Sequence, residues 1–481
     1  MTDTKKELLS GVFYTAISKY SGIIISLVVA GILARLIAPE KFGVVAIATV
    51  IISFFNIFSD LGISPAIIQN KELCREDLND IFSFTFWLGI CISIIFFLCS
   101  WPIAWFYQDN ILLTISQLLT VNLFFATLNI VPNALLYKEK EFKFIAYRSL
   151  CIQIIGGVAA VTAALLGAGL YALIINPIFS SILLFLISYR KKPLQLRLTL
   201  GIASIKKIFS FSAYQFMFNI INYFSRNLDK LLIGKYMDMQ ALGYYEKSYR
   251  LMMLPLQNIT HVISPVMHPI FSNFQNDLQK LSVSYEKVIH YLAFIGFPLS
   301  VLLWFCAKEI ILLIFGEQWY PSIAVFQILS LSVGIQIILS TSGSIYQAAN
   351  DTKNLFICGL FSATLNVTAI LIGIFLFKKL EAVAWCICLT FTINFFQCYI
   401  LMYTSTLKRN IKYLLKQLCS PAILSIILIL ILFPVQYATK DFSLIVSLII
   451  KSTLFIISFT IYIQTTGTYN IINFIKSKIQ R

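Results

Sequence analysis

The chain has 481 residues, 59% of them hydrophobic and 12% charged, about half the charged share of an ordinary soluble domain. Its formal net charge is +16, yet the lysines and arginines fall in short loops between apolar runs, which argues against a nucleic-acid partner and suits topological signals. The runs do not alternate polar with apolar residues, so a transmembrane β-barrel is excluded and the chain reads as an all-α integral membrane protein.

Lys5 and Lys6 open the first apolar run, and no small-residue cleavage site follows a short hydrophobic region, so this run reads as a retained span. Spans are predicted at 8–37, 42–68, 81–106, 112–136, 145–167 and 169–189, then at 208–234, 243–271, 288–315, 321–348, 354–377 and 380–404. Two more follow at 417–436 and 442–464, for about 14 transmembrane helices. Several are longer than a straight crossing needs, which predicts tilt or projection beyond the lipid. About 24 basic residues, Lys71, Lys138, Arg148, Lys191 and Lys412 among them, share a side with both termini, against about six on the other, including Arg35, Lys41 and Lys235. That asymmetry predicts cytoplasmic termini. No loop is long enough for a catalytic domain outside the lipid. The ten cysteines lack metal-ligand spacing and read as small buried hydrophobes.

The chain also looks doubled. Lys5-Lys6 and Lys206-Lys207 precede the first and seventh spans, and Arg35 and Gly43 are matched by Lys235 and Gly243, 200 positions on. Short amphipathic stretches, Asn70–Asp80 and Ser272–Lys287, follow the second and eighth spans. The spacing predicts an N-terminal lobe over 1–205, a second six-helix lobe over 206–404 in pseudo-twofold repeat, and a C-terminal pair of helices with a basic tail over 405–481.

In the first lobe, Ala34-Arg35-Leu36-Ile37-Ala38-Pro39-Glu40-Lys41-Phe42-Gly43 and Phe58-Ser59-Asp60-Leu61-Gly62-Ile63 carry a family resemblance. In the second, Ser225-Arg226-Asn227-Leu228-Asp229-Lys230-Leu231-Leu232-Ile233-Gly234, Leu242-Gly243-Tyr244-Tyr245 and Leu254-Pro255-Leu256-Gln257-Asn258-Ile259 carry it further. The chain resembles Wzx-type polysaccharide exporters, the colanic-acid-exporter branch of the multidrug/oligosaccharidyl-lipid/polysaccharide (MOP) flippases. The resemblance implies fourteen helices in two lobes around a central cavity, and a flippase of the inner membrane. Its implied cargo is an undecaprenyl-diphosphate-linked oligosaccharide, moved from the cytoplasmic to the periplasmic leaflet. Membrane lipids, a polysaccharide polymerase and chain-length machinery are the implied partners. No cofactor is implied, and a proton or sodium gradient is a candidate energy source.

Ionisable residues inside spans are costly and face a cavity or a partner. Lys19 lies about 16 Å along the first span by helical rise, with no acid in reach on its own helix. It reads either as a contact for the diphosphate headgroup or as a structural partner of Asp60. Arg226, Asp229 and Lys230 share a face of the seventh span, and Glu246, Lys247 and Arg250 occupy the eighth at similar spacing. These read as a cationic lining with Asp229 and Glu246 as supporting carboxylates, or equally as an interfacial salt-bridge network. Arginines are the better phosphate ligands, because a planar guanidinium grips bidentately. Asp60 reads as a local cap for Gly62 and Ser64, with ion coupling as the alternative. Lys308 and Glu309 read as interfacial, Lys451 as snorkelling to the outer edge, and His261 and His268 as packing residues rather than pH sensors. Pro255, Pro265 and Pro269 are expected to bend the eighth span.

Two other functions compete. A drug antiporter would favour acidic cavities, whereas cations prevail here; a peptidoglycan-precursor flippase shares the diphosphate chemistry. A membrane glycan polymerase or ligase is disfavoured by the missing large loop and by the doubling.

Overall fold

A backbone in hydrocarbon must satisfy its own hydrogen bonds, so long apolar runs become helices. The computed structural model describes residues 2–60, 62–70, 72–197, 223–224, 226–272, 274–275 and 277–466, with side chains from residue 13 onward except at 261, 262, 264–266, 268 and 269. Lys206, Lys207 and the side chains of Lys5, Lys6, His261, His268, Pro265 and Pro269 thus lie outside it. The helices fall into two compact units, residues 1–243 and 244–481.

Unit 1 contains α1 (Thr2–Leu36), α2 (Pro39–Asp60), α3 (Ile63–Gln69), α4 (Arg75–Tyr107), α5 (Asn110–Leu128), α6 (Ile130–Lys138), α7 (Phe142–Leu165) and α8 (Tyr171–Lys191). A helix over 226–236, α9, and the first turn of α10 (Met239–Ser272) complete it. Here α1 packs on α7, α7 on α8, and α5 lies between α4, α8 and α2. Two spans break at one end. Gly62 takes a left-handed φ of 75° between α2 and α3, and Asn129 separates α5 from α6. The short α3 and α6 then share a core of Ile63, Ile67, Phe82, Val131 and Leu135. The stretch Asn70–Asp80, expected as a separate amphipathic segment, instead delivers the first turns of α4. Asp77 closes a capping box with Cys74, whose N–H donates to Asp77 Oδ2 at 3.1 Å.

Unit 2 continues α10 and adds α11 (Leu278–Phe305), α12 (Ala307–Phe315), α13 (Ser322–Ser330), α14 (Val333–Leu339), α15 (Ser342–Ala348), α16 (Thr352–Leu371), α17 (Leu380–Leu401), α18 (Lys412–Ala438) and α19 (Leu444–Thr465). Eleven helical stretches among the described residues are long and apolar enough to cross a membrane, and the bent pair Ser322–Ser330 with Val333–Ala348 makes a twelfth. Of the two further predicted spans, 208–234 lies mostly outside the described residues, and α10, a helix of 34 residues, is too polar to qualify on composition.

Backbone junctions repeat with the helices. Left-handed residues other than glycine end a helix at Lys140 (φ 58°) and again at Asn350 (φ 56°), 210 positions on, before α7 and α16 respectively. Glycine works differently at Gly43 and Gly243. A Cβ on Gly43 would lie 1.8 Å from the Met239 carbonyl oxygen, and one on Gly243 would lie 2.2 Å from that of Pro39. Each glycine thus meets the residue 200 positions from the other's partner. Both contacts keep the 200-residue offset seen in the sequence.

The helices α18 and α19 dock on α11 and α12. Leu424, Leu428 and Leu432 join Phe294, Val301 and Phe305 in an apolar seam. Beside it, Lys451 Nζ bonds Glu309 Oε1 at 2.5 Å and the Phe305 carbonyl at 2.9 Å, and Ser447 Oγ donates to the same carboxylate at 2.6 Å. Lys451 and Glu309 are 2% and 3% exposed. The sequence expectation of an interfacial Glu309 and a snorkelling Lys451 is therefore corrected. Each charge lies within reach of the other across the helix seam, and pairing them inside protein satisfies both without reaching water. Lys308, one residue away, is exposed.

Candidate functional site

The charged cluster of the seventh span sits on α9, and neighbouring side chains hold that helix to α2 and α4. Tyr223, just before it, donates its hydroxyl to the Val50 carbonyl and packs on Phe54 at 5.5 Å. Tyr107 at the end of α4 donates to the Leu231 carbonyl at 3.2 Å. Lys235 donates to the Phe106 carbonyl and lies 4.7 Å from the centre of its ring. These anchors fasten α9 within unit 1. Arg226 is exposed, Lys230 half-buried and Asp229 buried at 6%. Asp229 Oδ1 accepts from the Lys230 N–H at 2.8 Å.

Lys19 lies in α1, which is fastened elsewhere: Ser18 Oγ donates to the Ala146 carbonyl at 3.4 Å and Gln153 Nε2 to that of Gly22 at 2.7 Å. Lys19 is half-buried and has no ion pair among the described residues. It and the α9 cations therefore belong to different helix pairs of the same unit. Asp60 closes α2, and its Oδ1 accepts from the Ser64 N–H at 3.3 Å, the local cap that the Gly62 turn requires.

In unit 2, Glu246, Lys247 and Arg250 lie on α10. Arg250 is exposed, Glu246 half-buried and Lys247 only 4% exposed. The Lys247 ammonium lies 5.2 Å from the Phe315 ring centre and 5.7 Å from that of Trp319. Such cation–π contacts stabilise a lysine turned into the protein. In this structure Lys247 thus faces aromatic rings, while Arg250 is exposed.

Two charged groups escape a reading by span. Glu286 on α11 pairs with Arg409 at 3.1 Å and accepts from Ser282 Oγ at 3.2 Å. Arg148, counted in the sequence as a topological charge, is 6% exposed inside the bundle. Its place inside the predicted span 145–167 was the available signal. Among the described residues no group of three or more histidines, cysteines or carboxylates is placed to hold a metal ion.

Cations on membrane helices are chemically suited to binding an anion. Residues 32–324 match the family model described as polysaccharide biosynthesis protein. The chain is 27% identical over 380 residues to the lipopolysaccharide biosynthesis protein WzxC of Escherichia coli (strain K12), covering 77% of this chain and 75% of that one. It is 24% identical over 453 residues to the teichuronic acid biosynthesis protein TuaB of Bacillus subtilis (strain 168), covering 92% of both. Among solved structures it resembles the lipid II flippase MurJ in its inward closed conformation, with a TM-score of 0.73 at 16% identity over 95% of this chain and 99% of that one. An inward-facing multidrug resistance MATE transporter of the MOP superfamily follows, with a TM-score of 0.63 at 14% identity over 83% and 99%. The chain is therefore a multi-pass membrane protein with a MOP-transporter fold, and it belongs to the polysaccharide biosynthesis protein family.

Proposed function

We propose that this protein exports a polyprenyl-diphosphate-linked oligosaccharide, moving it from the cytoplasmic to the periplasmic leaflet of the inner membrane by alternating access. The observation that carries this reading is the surplus of intramembrane cations: Lys19 and Arg226 have no ion pair among the described residues. A polar headgroup crossing a bilayer needs such partners, because charge-assisted bonds to phosphate replace the water it leaves. Lys19, Arg226, Lys230 and Arg250 are the proposed phosphate contacts. Lys247, packed on Phe315 and Trp319, would join them only after turning out; Asp229 and Glu246 orient the cations. The prenyl chain stays in lipid throughout, so no bond is made or broken and no cofactor is needed.

Both termini are placed in the cytoplasm on the basic asymmetry of the loops. A polymerase and chain-length machinery would consume the cargo on the far side, and a proton or sodium gradient would drive the cycle. A peptidoglycan precursor is the second cargo to consider, favoured by the fold likeness to MurJ. Reconstitution into vesicles with fluorescent prenyl-diphosphate sugars tests the proposal. Leaflet exchange should require the protein and fall at least ten-fold in Lys19→Ala and Arg226→Ala at equal protein level (roughly the worth of one charge-assisted contact). Unchanged exchange in both variants would remove these cations from the mechanism. Exchange of lipid II in preference to other prenyl-diphosphate sugars would replace the cargo.

A further inference from the structure

Arg148 is a buried charge of unit 1 held by neutral partners. Its Nη1 donates to Ser188 Oγ at 2.5 Å and its Nη2 to Asn133 Oδ1 at 2.9 Å, both neutral acceptors. Its Nε is buried with no partner, and no carboxylate lies within ion-pair distance of the guanidinium among the described residues. The acids in the adjoining turn are already taken: Glu141 pairs with Lys191 at 3.6 Å, and Glu139 with Lys192. Lys138, Lys140, Lys143 and Arg190 add further positive charge where α6 ends, α7 begins and α8 ends. Among the described residues, no carboxylate is placed to balance Arg148.

Packing alone does not require the charge. The positions 210 further along, Cys358 on α16 and Cys398 on α17, meet in the corresponding corner of unit 2. There Tyr346 Oη lies 3.3 Å from Cys358 Sγ and donates to the Cys398 carbonyl at 2.8 Å. Neutral groups thus hold three helices together in one unit, where the other uses a guanidinium. Isolated buried charge costs several kcal/mol, so a cation in place of a neutral staple calls for an anion.

An occupant is indicated by the face beside it. Tyr147, Ile154, Ile155 and Val158 are each about half exposed along α7, at the spacing of one helical stripe, and this stripe starts next to Arg148. We propose that this basic corner of unit 1 binds the phosphate of an anionic phospholipid from the adjacent leaflet, with Arg148 as the buried anchor. The acyl chains lie along the Tyr147–Val158 stripe. The lipid phosphate replaces the Asn133 carboxamide on the guanidinium, since an ionic acceptor bonds it about twice as strongly as a neutral one. The site takes no part in the export path proposed above and does not rest on that reading.

Native mass spectrometry of the full-length protein in detergent tests this by counting retained phosphatidylglycerol. Wild type should keep phosphatidylglycerol in preference to phosphatidylcholine, and Arg148→Met should weaken the tightest-bound molecule at least about ten-fold. Asn133→Ala keeps the charge and removes the competing carboxamide, so it should bind at least as tightly as wild type; it also serves if Arg148→Met fails to fold. Equal retention by wild type and Arg148→Met, or loss of retention in Asn133→Ala, would overturn the proposal. Displacement by millimolar inorganic phosphate would assign the site to free phosphate. Displacement by a prenyl diphosphate alone would assign it to cargo. Either result overturns the phospholipid assignment.

Discussion

Lys451→Met isolates an ion pair that ties the C-terminal hairpin to the rest of unit 2. The substitution keeps the length and apolar stem of the side chain and removes only the ammonium. Glu309, 3% exposed, then keeps Ser447 as a donor at 2.6 Å but loses its cation, and its Oε2 already has no partner. Breaking one half of a buried pair leaves an uncompensated charge and costs about 3–5 kcal/mol. Replacing both halves with apolar groups removes the desolvation cost with the attraction, so Lys451→Met with Glu309→Leu should recover most of that loss. Thermal unfolding of the detergent-purified protein is the assay, with limited proteolysis of the α18–α19 hairpin as a local readout. The single variant should unfold earlier and release the hairpin first, and the double variant should return towards wild type. A single variant as stable as wild type, or a double variant worse than the single, would show that the pair does not hold the hairpin.

Gly43→Ala places a Cβ against the Met239 carbonyl, a rigid backbone atom, at a separation of 1.8 Å. Forcing the crossing apart should cost about 1–3 kcal/mol and reduce export in cells; Gly359→Ala, with nothing within 4 Å of the added carbon, should be silent in both assays. Asp351 caps α16, and burial pushes its carboxyl up while hydrogen bonds from Thr406 and Asn354 outweigh that and hold it below the usual range. A depressed carboxyl stabilises the fold above its unfolded value of about 3.9 and loses that contribution as pH falls through the folded value. Asp351→Ala should therefore cost about 1 kcal/mol at neutral pH, with the gap to wild type closing below about pH 4. A gap in melting temperature unchanged down to pH 3 would contradict the assignment.

Much of the architecture was legible in advance because hydrocarbon imposes a local rule. A span must be a long apolar run, and among the described residues the predicted runs other than 208–234 and 243–271 meet helical stretches long and apolar enough to cross, in the same order. Gly43 and Gly243 keep a 200-residue spacing in the sequence, and in the fold each lies against the backbone of the other's helix. The Asp60 cap followed from the Gly62 turn beside it. Breaks inside spans were harder: α5 ends at Leu128, whose carbonyl Pro132 cannot bond, and hydropathy averages across such a break.

Charges divided along a sharper line. Composition and order alone established a membrane-spanning helical chain and the presence of cations within its apolar runs. Which of those cations are satisfied inside the protein was decided by tertiary contacts alone. Lys451 meets Glu309 from 142 positions away, and Lys247 turns onto Phe315 and Trp319. A lysine's cost in a membrane depends on what stands within a few ångströms of its ammonium, and helix packing, not the neighbouring letters of the sequence, sets that distance.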